Sequence, residues 1–188
     1  MPQGNVEVVR QPLLVRKRSS RTFDQRLFLR FPRLVDPYAR LLGRLSPTSR
    51  LRRAAVGRAV RLGLEAWNRR DLDAFQLGRQ PDYEYYPARE LVEAGLAEPC
   101  YRGPAGYRDQ LSRWFESWGT DARIEKAELI DLGDQLVSLA DVSTRGKASG
   151  VPHTQQYGWI FTVEDGKVRE QHEYLDHAEA LEAVGLRE

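Results

Sequence analysis

The stretch from Val163 to Leu181 constrains the fold most. It reads as strand, two-residue turn, strand and short helix. Asp165-Gly166 is the turn, because a type I′ turn needs positive φ at both central residues and only Gly or a short Asx side chain adopts it readily. Asp176 stands where a helix N-cap belongs, with Glu179 three residues on in the capping-box position. A hairpin that closes on a capped helix restricts the architecture more tightly than it restricts the chemistry.

Upstream, strand patterns cover about 123–132, 135–145, 153–163 and 167–175. Gly133-Asp134 is a second tight turn, and Gly146 to Pro152 a looser one. Helical patterns come first. One runs from Leu51 to Arg69, with Val56, Val60, Leu64 and Trp67 at helical spacing. A short one starts at Asp71 and passes Phe75 and Leu77. A third follows Gly103-Pro104-Ala105-Gly106 and carries Tyr107, Leu111, Trp114, Phe115 and Trp118 on one side. Between them, Asp82 to Tyr86 reads as a strand stopped by Pro87, and residues 88–103 as a poorly patterned insertion. Helices followed by antiparallel strands predict an α+β fold. The helices should cover the concave face of a curved sheet, and the seam between the two layers is where a pocket belongs.

Residues 1–50 read as a basic, partly helical extension and 51–188 as the domain proper. Residues 1–24 show no sustained periodicity, and Arg16-Lys17-Arg18-Ser19-Ser20-Arg21 is expected to be a mobile basic break. From Asp24 an amphipathic pattern passes Leu27, Phe28, Phe31, Leu34, Val35, Tyr38, Leu41, Leu42 and Leu45, cut into short helices by Pro32 and Pro37. The net charge of +2 hides an asymmetry: residues 1–63 carry 15 Lys and Arg against 3 Asp and Glu, whereas 64–188 carry 14 against 24. The arm is therefore expected to dock on its own acidic domain or on a partner subunit, with an anionic membrane surface or a protein partner as the alternative. Its arginines alternate with Leu and Phe and no nucleic-acid motif is present, which argues against nucleic acid.

Cys100 is the single cysteine. It excludes an intramolecular disulfide and a cysteine metal cluster, and suits a reducing, cytoplasmic setting. The N-terminus lacks the apolar core of a signal peptide, and no apolar run is long enough for a membrane span. His153, His172 and His177 have no metal-ligand spacing, and phosphate-binding and dinucleotide glycine motifs are missing, so neither metal nor cofactor is expected.

Five strings carry a resemblance: Trp67-Asn68-Arg69-Arg70-Asp71-Leu72-Asp73, Asp82-Tyr83-Glu84-Tyr85, Tyr101-Arg102-Gly103, Leu132-Gly133-Asp134, and Asp165-Gly166-Lys167-Val168 leading to Tyr174-Leu175-Asp176. In this order the chain, over about residues 52–186, resembles the nuclear transport factor 2-like superfamily and its SnoaL-like branch, which includes ketosteroid isomerases and polyketide cyclases. The resemblance implies a cone, or α+β barrel: a strongly curved antiparallel sheet wrapped around N-terminal helices, with a pocket open at one end and a homodimer as the usual assembly. Ketosteroid isomerases use a general-base Asp and an oxyanion hole of Tyr and protonated Asp. Matching the shared strings puts these near Tyr86, Gly63 and Trp159, so none of the three residue types is kept and steroid-isomerase chemistry is rejected.

On the strand before the Asp165-Gly166 turn, Gln155, Tyr157, Trp159, Phe161 and Val163 alternate with a less aromatic set and should face inward. On the last strand Gln171 and Glu173 share one face, which the resemblance makes the pocket side, and His172 the other. Glu173 in an apolar cavity would have a raised pKa suited to proton transfer. His172 is the alternative acid/base. Tyr83, Tyr85, Tyr86, Trp114 and Trp118 would add stacking surface and phenolic donors, with Gln155, Tyr157, Trp159 and Gln171 completing a ligand wall. An ordinary aromatic core would use the same residues.

Three readings follow. The first is a small-molecule pocket protein for an apolar, aromatic or carbonyl-bearing ligand. The second is a cofactor-free cyclase, isomerase or dehydratase using Glu173 or His172. The third is an interaction or dimerisation module, favoured if Trp159 and the tyrosines fill the cone.

Overall fold

The computed structural model describes residues 8–118, 121–145 and 150–187. Its frame is a seven-stranded sheet in the order β1-β4-β5-β6-β7-β2-β3. The strands are β1 (Val9–Leu14), β2 (Arg79–Tyr86), β3 (Tyr101–Arg102), β4 (Arg123–Asp131), β5 (Gln135–Arg145), β6 (Pro152–Glu164) and β7 (Lys167–Tyr174). The helices are α1 (Phe23–Arg30), α2 (Val35–Gly43), α3 (Arg50–Asn68), α4 (Leu72–Phe75), α5 (Arg89–Glu93), α6 (Gly103–Trp118) and α7 (His177–Ala183). The α+β expectation holds, with two refinements. The sheet is open, ending on β1 and β3, and β2 runs parallel to β7, so the pairing is mixed rather than wholly antiparallel.

The opening hairpin forms as expected. Asp165 (φ 53) and Gly166 (φ 77) occupy the left-handed region between β6 and β7. Asp176 caps α7, its carboxylate accepting from the backbone N–H groups of Ala178 and Glu179 at 2.7 and 3.1 Å. Helix α7 packs on the outer face of the sheet, where Ile130, Val137, Leu139 and Ile160 meet Ala180 and Leu181. The main core lies on the concave face, between the sheet and helices α3, α4 and α6.

The N-terminus departs from expectation. Residues 9–14 form a strand paired antiparallel with β4, from Val9 opposite Asp131 to Leu14 opposite Lys126. The mixed sequence of this strand hid it, since its stability comes from the β4 edge rather than from its own pattern. The basic break after it is anchored: the Arg18 guanidinium lies 2.7 Å from the buried carboxylate of Glu65, and Arg21 forms a fork with Asp71 at 2.8 and 2.7 Å. The Arg21 fork helps hold the Asp71 carboxyl down at about 2. Helices α1 and α2 then lie across α3 and the hairpin end of the sheet. Arg52, buried, makes a fork with Asp131 at 2.8 Å on both nitrogens and also donates to the Leu45 carbonyl at 2.9 Å, which ties the end of α2 to the β4–β5 turn. Lys167 reaches Asp36 at 2.8 Å. Gly166 sits so close under α2 that a Cβ there would run into the Ala39 carbonyl oxygen. The expected docking of the arm on the acidic domain is thus made of specific charge pairs with apolar contact beneath them. The 88–103 insertion also holds structure, namely α5 and the edge strand β3.

Candidate functional site

Strand alternation decides which candidates meet. Across β2, β7 and β6, Tyr85 pairs with Gln171 and Trp159 pairs with Glu173, all on the concave face. Helix α3 brings Trp67 to that face, and α6 brings Tyr107 and Trp114. The Trp159 indole N–H donates to a Glu173 carboxylate oxygen at 3.0 Å. Burial raises the Glu173 pKa, opposed in part by hydrogen bonds from Trp159, Tyr85 and the Ala88 backbone. Burial likewise raises the neighbouring phenols: Tyr107 to about 12, and Tyr85 and Tyr157 further. The Gln171 amide donates to the Tyr107 hydroxyl at 3.3 Å, and the Trp114 indole to the Tyr157 hydroxyl at 3.2 Å. Tyr157 stacks on Trp159 with centroids 5.4 Å apart at 11°. What remains empty here is about 40 Å³, space for only a few waters by the usual allowance of roughly 10–15 Å³ each.

Tyr85, Trp114, Tyr157, Trp159, Gln171 and Glu173 are therefore brought together, while several other candidates are not. Tyr86 is corrected to the opposite face, the one on which the sequence already put His172. They pair across β2 and β7 one residue beyond Tyr85 and Gln171, and they stack on each other at 4.5 Å and 6°. Tyr86 donates to Glu84 at 2.5 Å and His172 lies 3.7 Å from Glu170, so neither touches the interior. Tyr83 points inward but is fully buried edge-on to Tyr107, packed in core rather than on a cavity wall. Gln155 is also corrected: its amide donates to the Leu175 and Gln156 carbonyls at 2.8 and 3.0 Å, away from the cavity. The side chain of Trp118 lies outside the described residues. His153 lies near the start of β6, and His177 opens α7 with Nε2 3.3 Å from the Ala140 carbonyl.

A larger space lies at the other end of the same concave face. Helices α1, α2 and α3 and the hairpin end of the sheet enclose a cleft of about 430 Å³. Leu64, Phe75 and Phe161 stand between it and the filled end, lining both. Phe28, Tyr38 and Leu42 wall it from the extension, and α3 turns Ala55, Ala59 and Gly63 toward it. These small residues make the room: a Cβ added at Gly63 would meet no atom within 4 Å. Among the apolar walls stand Arg79 and Ser138, the latter buried with a hydroxyl that has no hydrogen-bond partner among the described residues. Charge pairs ring the cleft, including Arg58 with Asp24 at 2.9 Å and Arg52 with Asp131. Sequence reasoning did not find this cleft, because its walls come from both the extension and the domain. The i, i+4, i+8 run of Ala55, Ala59 and Gly63 on an otherwise bulky helix was the available signal.

Among the described residues no group of three or more His, Cys, Asp or Glu side chains is placed to hold a metal, and no helix is long and apolar enough to cross a membrane.

Solved structures share the fold. TerC, co-crystallised with polyporic acid, matches with a TM-score of 0.56 at 22% identity, over 63% of this chain and 89% of that one. A protein of unknown function from Burkholderia pseudomallei, described as NTF2-like, matches with a TM-score of 0.56 at 20% identity over 68% and 95%. A proposed polyketide cyclase from Xanthomonas campestris matches with a TM-score of 0.55 at 20% identity over 68% and 94%. At these identities the likeness is one of fold. No curated protein sequence matches. The SnoaL-like domain model matches residues 60–171, more than half of the chain, and the chain belongs to that family.

Proposed function

We propose that this protein binds a small apolar or aromatic molecule in the cleft between its N-terminal helices and the hairpin end of the sheet. The observation that carries the reading is the cleft itself: about 430 Å³, largely apolar, with few polar groups on its walls, within the range of roughly 300–1,000 Å³ typical of ligand sites. TerC, of similar fold, was co-crystallised with polyporic acid, which supports a ligand-binding use of this architecture. The test is a fluorescence titration of the full chain with Nile red, a neutral apolar dye. One-to-one capture with a blue-shifted emission is expected, and it should be lost when Gly63→Leu fills the cleft. Capture that ignores Gly63→Leu would remove the site from this reading.

A second reading is favoured by Glu173. Its carboxyl is enclosed, has a raised pKa and lies against Tyr85, the arrangement needed to move a proton beside a carbonyl while a phenol holds the oxyanion. Substrate would have to displace Tyr157 or Trp159 to reach it. Deuterium uptake at the α-carbon of a small ketone in heavy water, abolished by Glu173→Gln, is the expected signature. Uptake unchanged by that substitution would dismiss it. A third reading, a homodimer or interaction module, draws on the exposed Phe23, Phe31, Leu34, Leu41 and Leu51 of the helical arm and the start of α3. Light scattering that returns a monomer at high protein concentration would count against it.

A further inference from the structure

The charges around the cleft are compensated in all cases but one that touches its walls. Arg52 is held by Asp131, Arg58 by Asp24, and Lys167 and Arg21 on the rim by Asp36 and Asp71. Arg79 is different. Its guanidinium donates to the Phe75 carbonyl oxygen and to the Gln171 side-chain carbonyl at 3.2 Å, and it lies 4.3 Å from the Phe75 ring centroid and 5.5 Å from those of Tyr83 and Tyr107. Every one of these partners is neutral. Among the described residues Arg79 forms no ion pair. A partly buried cation surrounded by rings and amides is stabilised by the ring faces and still lacks a counter-ion.

Two further observations place that missing anion in a larger molecule. Ser138 lines the same cleft at 1% exposure, and its hydroxyl finds no partner among the described residues. Buried hydroxyls are normally satisfied, and one left open beside a cavity marks a position for a ligand atom. The space beside Arg79 is also apolar, extended along α3 over Val56, Val60 and Gly63 and covered by Phe28 and Leu42. A free inorganic anion would satisfy the charge and leave this trough empty of anything but water.

We propose that the cleft binds a carboxylate carried on a single apolar chain, with the head group on Arg79 and the chain lying along α3 beneath α2. This rests on the cleft-binding reading above and names its ligand class. The guanidinium fork suits a carboxylate, which accepts two N–H donors at once. The arm then serves as one wall of the site, so ligand and arm stabilise each other's placement.

The test is calorimetric titration of the full chain with three probes that share a twelve-carbon chain, each kept below its micelle concentration or solubility limit: dodecanoate, dodecanol and dodecyltrimethylammonium. Dodecanoate should bind one-to-one about ten-fold more tightly than dodecanol, with the cationic probe weakest. Arg79→Met should erase the preference for dodecanoate over dodecanol while keeping dodecanol binding, and Gly63→Leu should weaken both. If the unaltered chain binds dodecanol as tightly as dodecanoate, the head-group assignment is overturned and the apolar cleft survives. If it binds none of the three, both are overturned. Should Arg79→Met not fold, carboxyl-labelled dodecanoate followed by carbon NMR decides the matter on the unaltered protein. A carboxylate on Arg79 stays ionised to lower pH than the free acid, whereas one that titrates like the free acid refutes the contact.

Discussion

The two ends of one concave face have been built in opposite ways. At the end holding Glu173, α3 presents Leu64 and Trp67, α6 adds Tyr107 and Trp114, and the sheet answers with Tyr85, Tyr157 and Trp159, leaving about 40 Å³. At the hairpin end the same helix presents Ala55, Ala59 and Gly63, and the arm spans the gap at a distance that leaves about 430 Å³. Aromatic side chains with matched ring geometry close a cavity by themselves. Small side chains under a separately anchored layer keep one open. Where a SnoaL-like chain keeps its usable volume therefore depends on where it spends its large residues.

Altering matched positions at the two ends should break or sharpen that contrast. Trp159→Ala removes one of three tryptophans from the filled end and should cost about 3–5 kcal/mol in urea unfolding, with added indole restoring part of it. An unchanged unfolding midpoint would mean that this end is not tightly packed. Gly166→Ala forces a side chain into the left-handed region and against the Ala39 backbone. It should cost about 1–3 kcal/mol and loosen α2, seen as faster amide exchange over residues 35–43. Gly63→Ala adds an atom at the hollow end, where nothing is touched, and should stabilise by about 0.5–1 kcal/mol through helix propensity alone; a loss of stability would show that the cleft is closed in solution.

The smallest effect is a slope. Because the folded-state pKa of Glu173 is raised, the folded chain binds a proton more firmly than the unfolded chain, and stability falls as pH rises from about 4.5 through the raised value. Glu173→Gln should remove that decline, so the variant gains on the unaltered protein toward neutrality. Parallel stability curves for the two would place the carboxyl in contact with solvent.

Much of the fold was legible because it rests on local signals. Asp165-Gly166, Asp176 and the alternation of Tyr157, Trp159 and Phe161 each state a turn, a cap or a buried face within a few residues. The same alternation separated Gln171 and Glu173 from His172, but the family resemblance rather than the strand itself made theirs the inner face. Tyr86 was misplaced because its neighbour Tyr85 is equally aromatic, and composition does not break a one-residue ambiguity when both faces of a strand are covered. Strand β1 and the anchoring of Arg18 and Arg21 were missed for a different reason. Their partners Glu65, Asp71 and the β4 edge lie far along the chain, and an unpatterned basic segment shows nothing of what it will meet.

The sequence by itself determined the α+β layering, the hairpin turn with its helix cap, the family and the loss of the steroid-isomerase residues, since each depends on residue identity at short spacing. Only the tertiary structure decided that Glu173 rather than His172 faces inward, that the inward-facing aromatics fill their end of the cone, that the arm roofs a second space, and that, among the described residues, Arg79 alone of the cations on its walls lacks a carboxylate. Volume and charge compensation are properties of three-dimensional neighbours. Here those neighbours are contributed by segments that are remote in the chain.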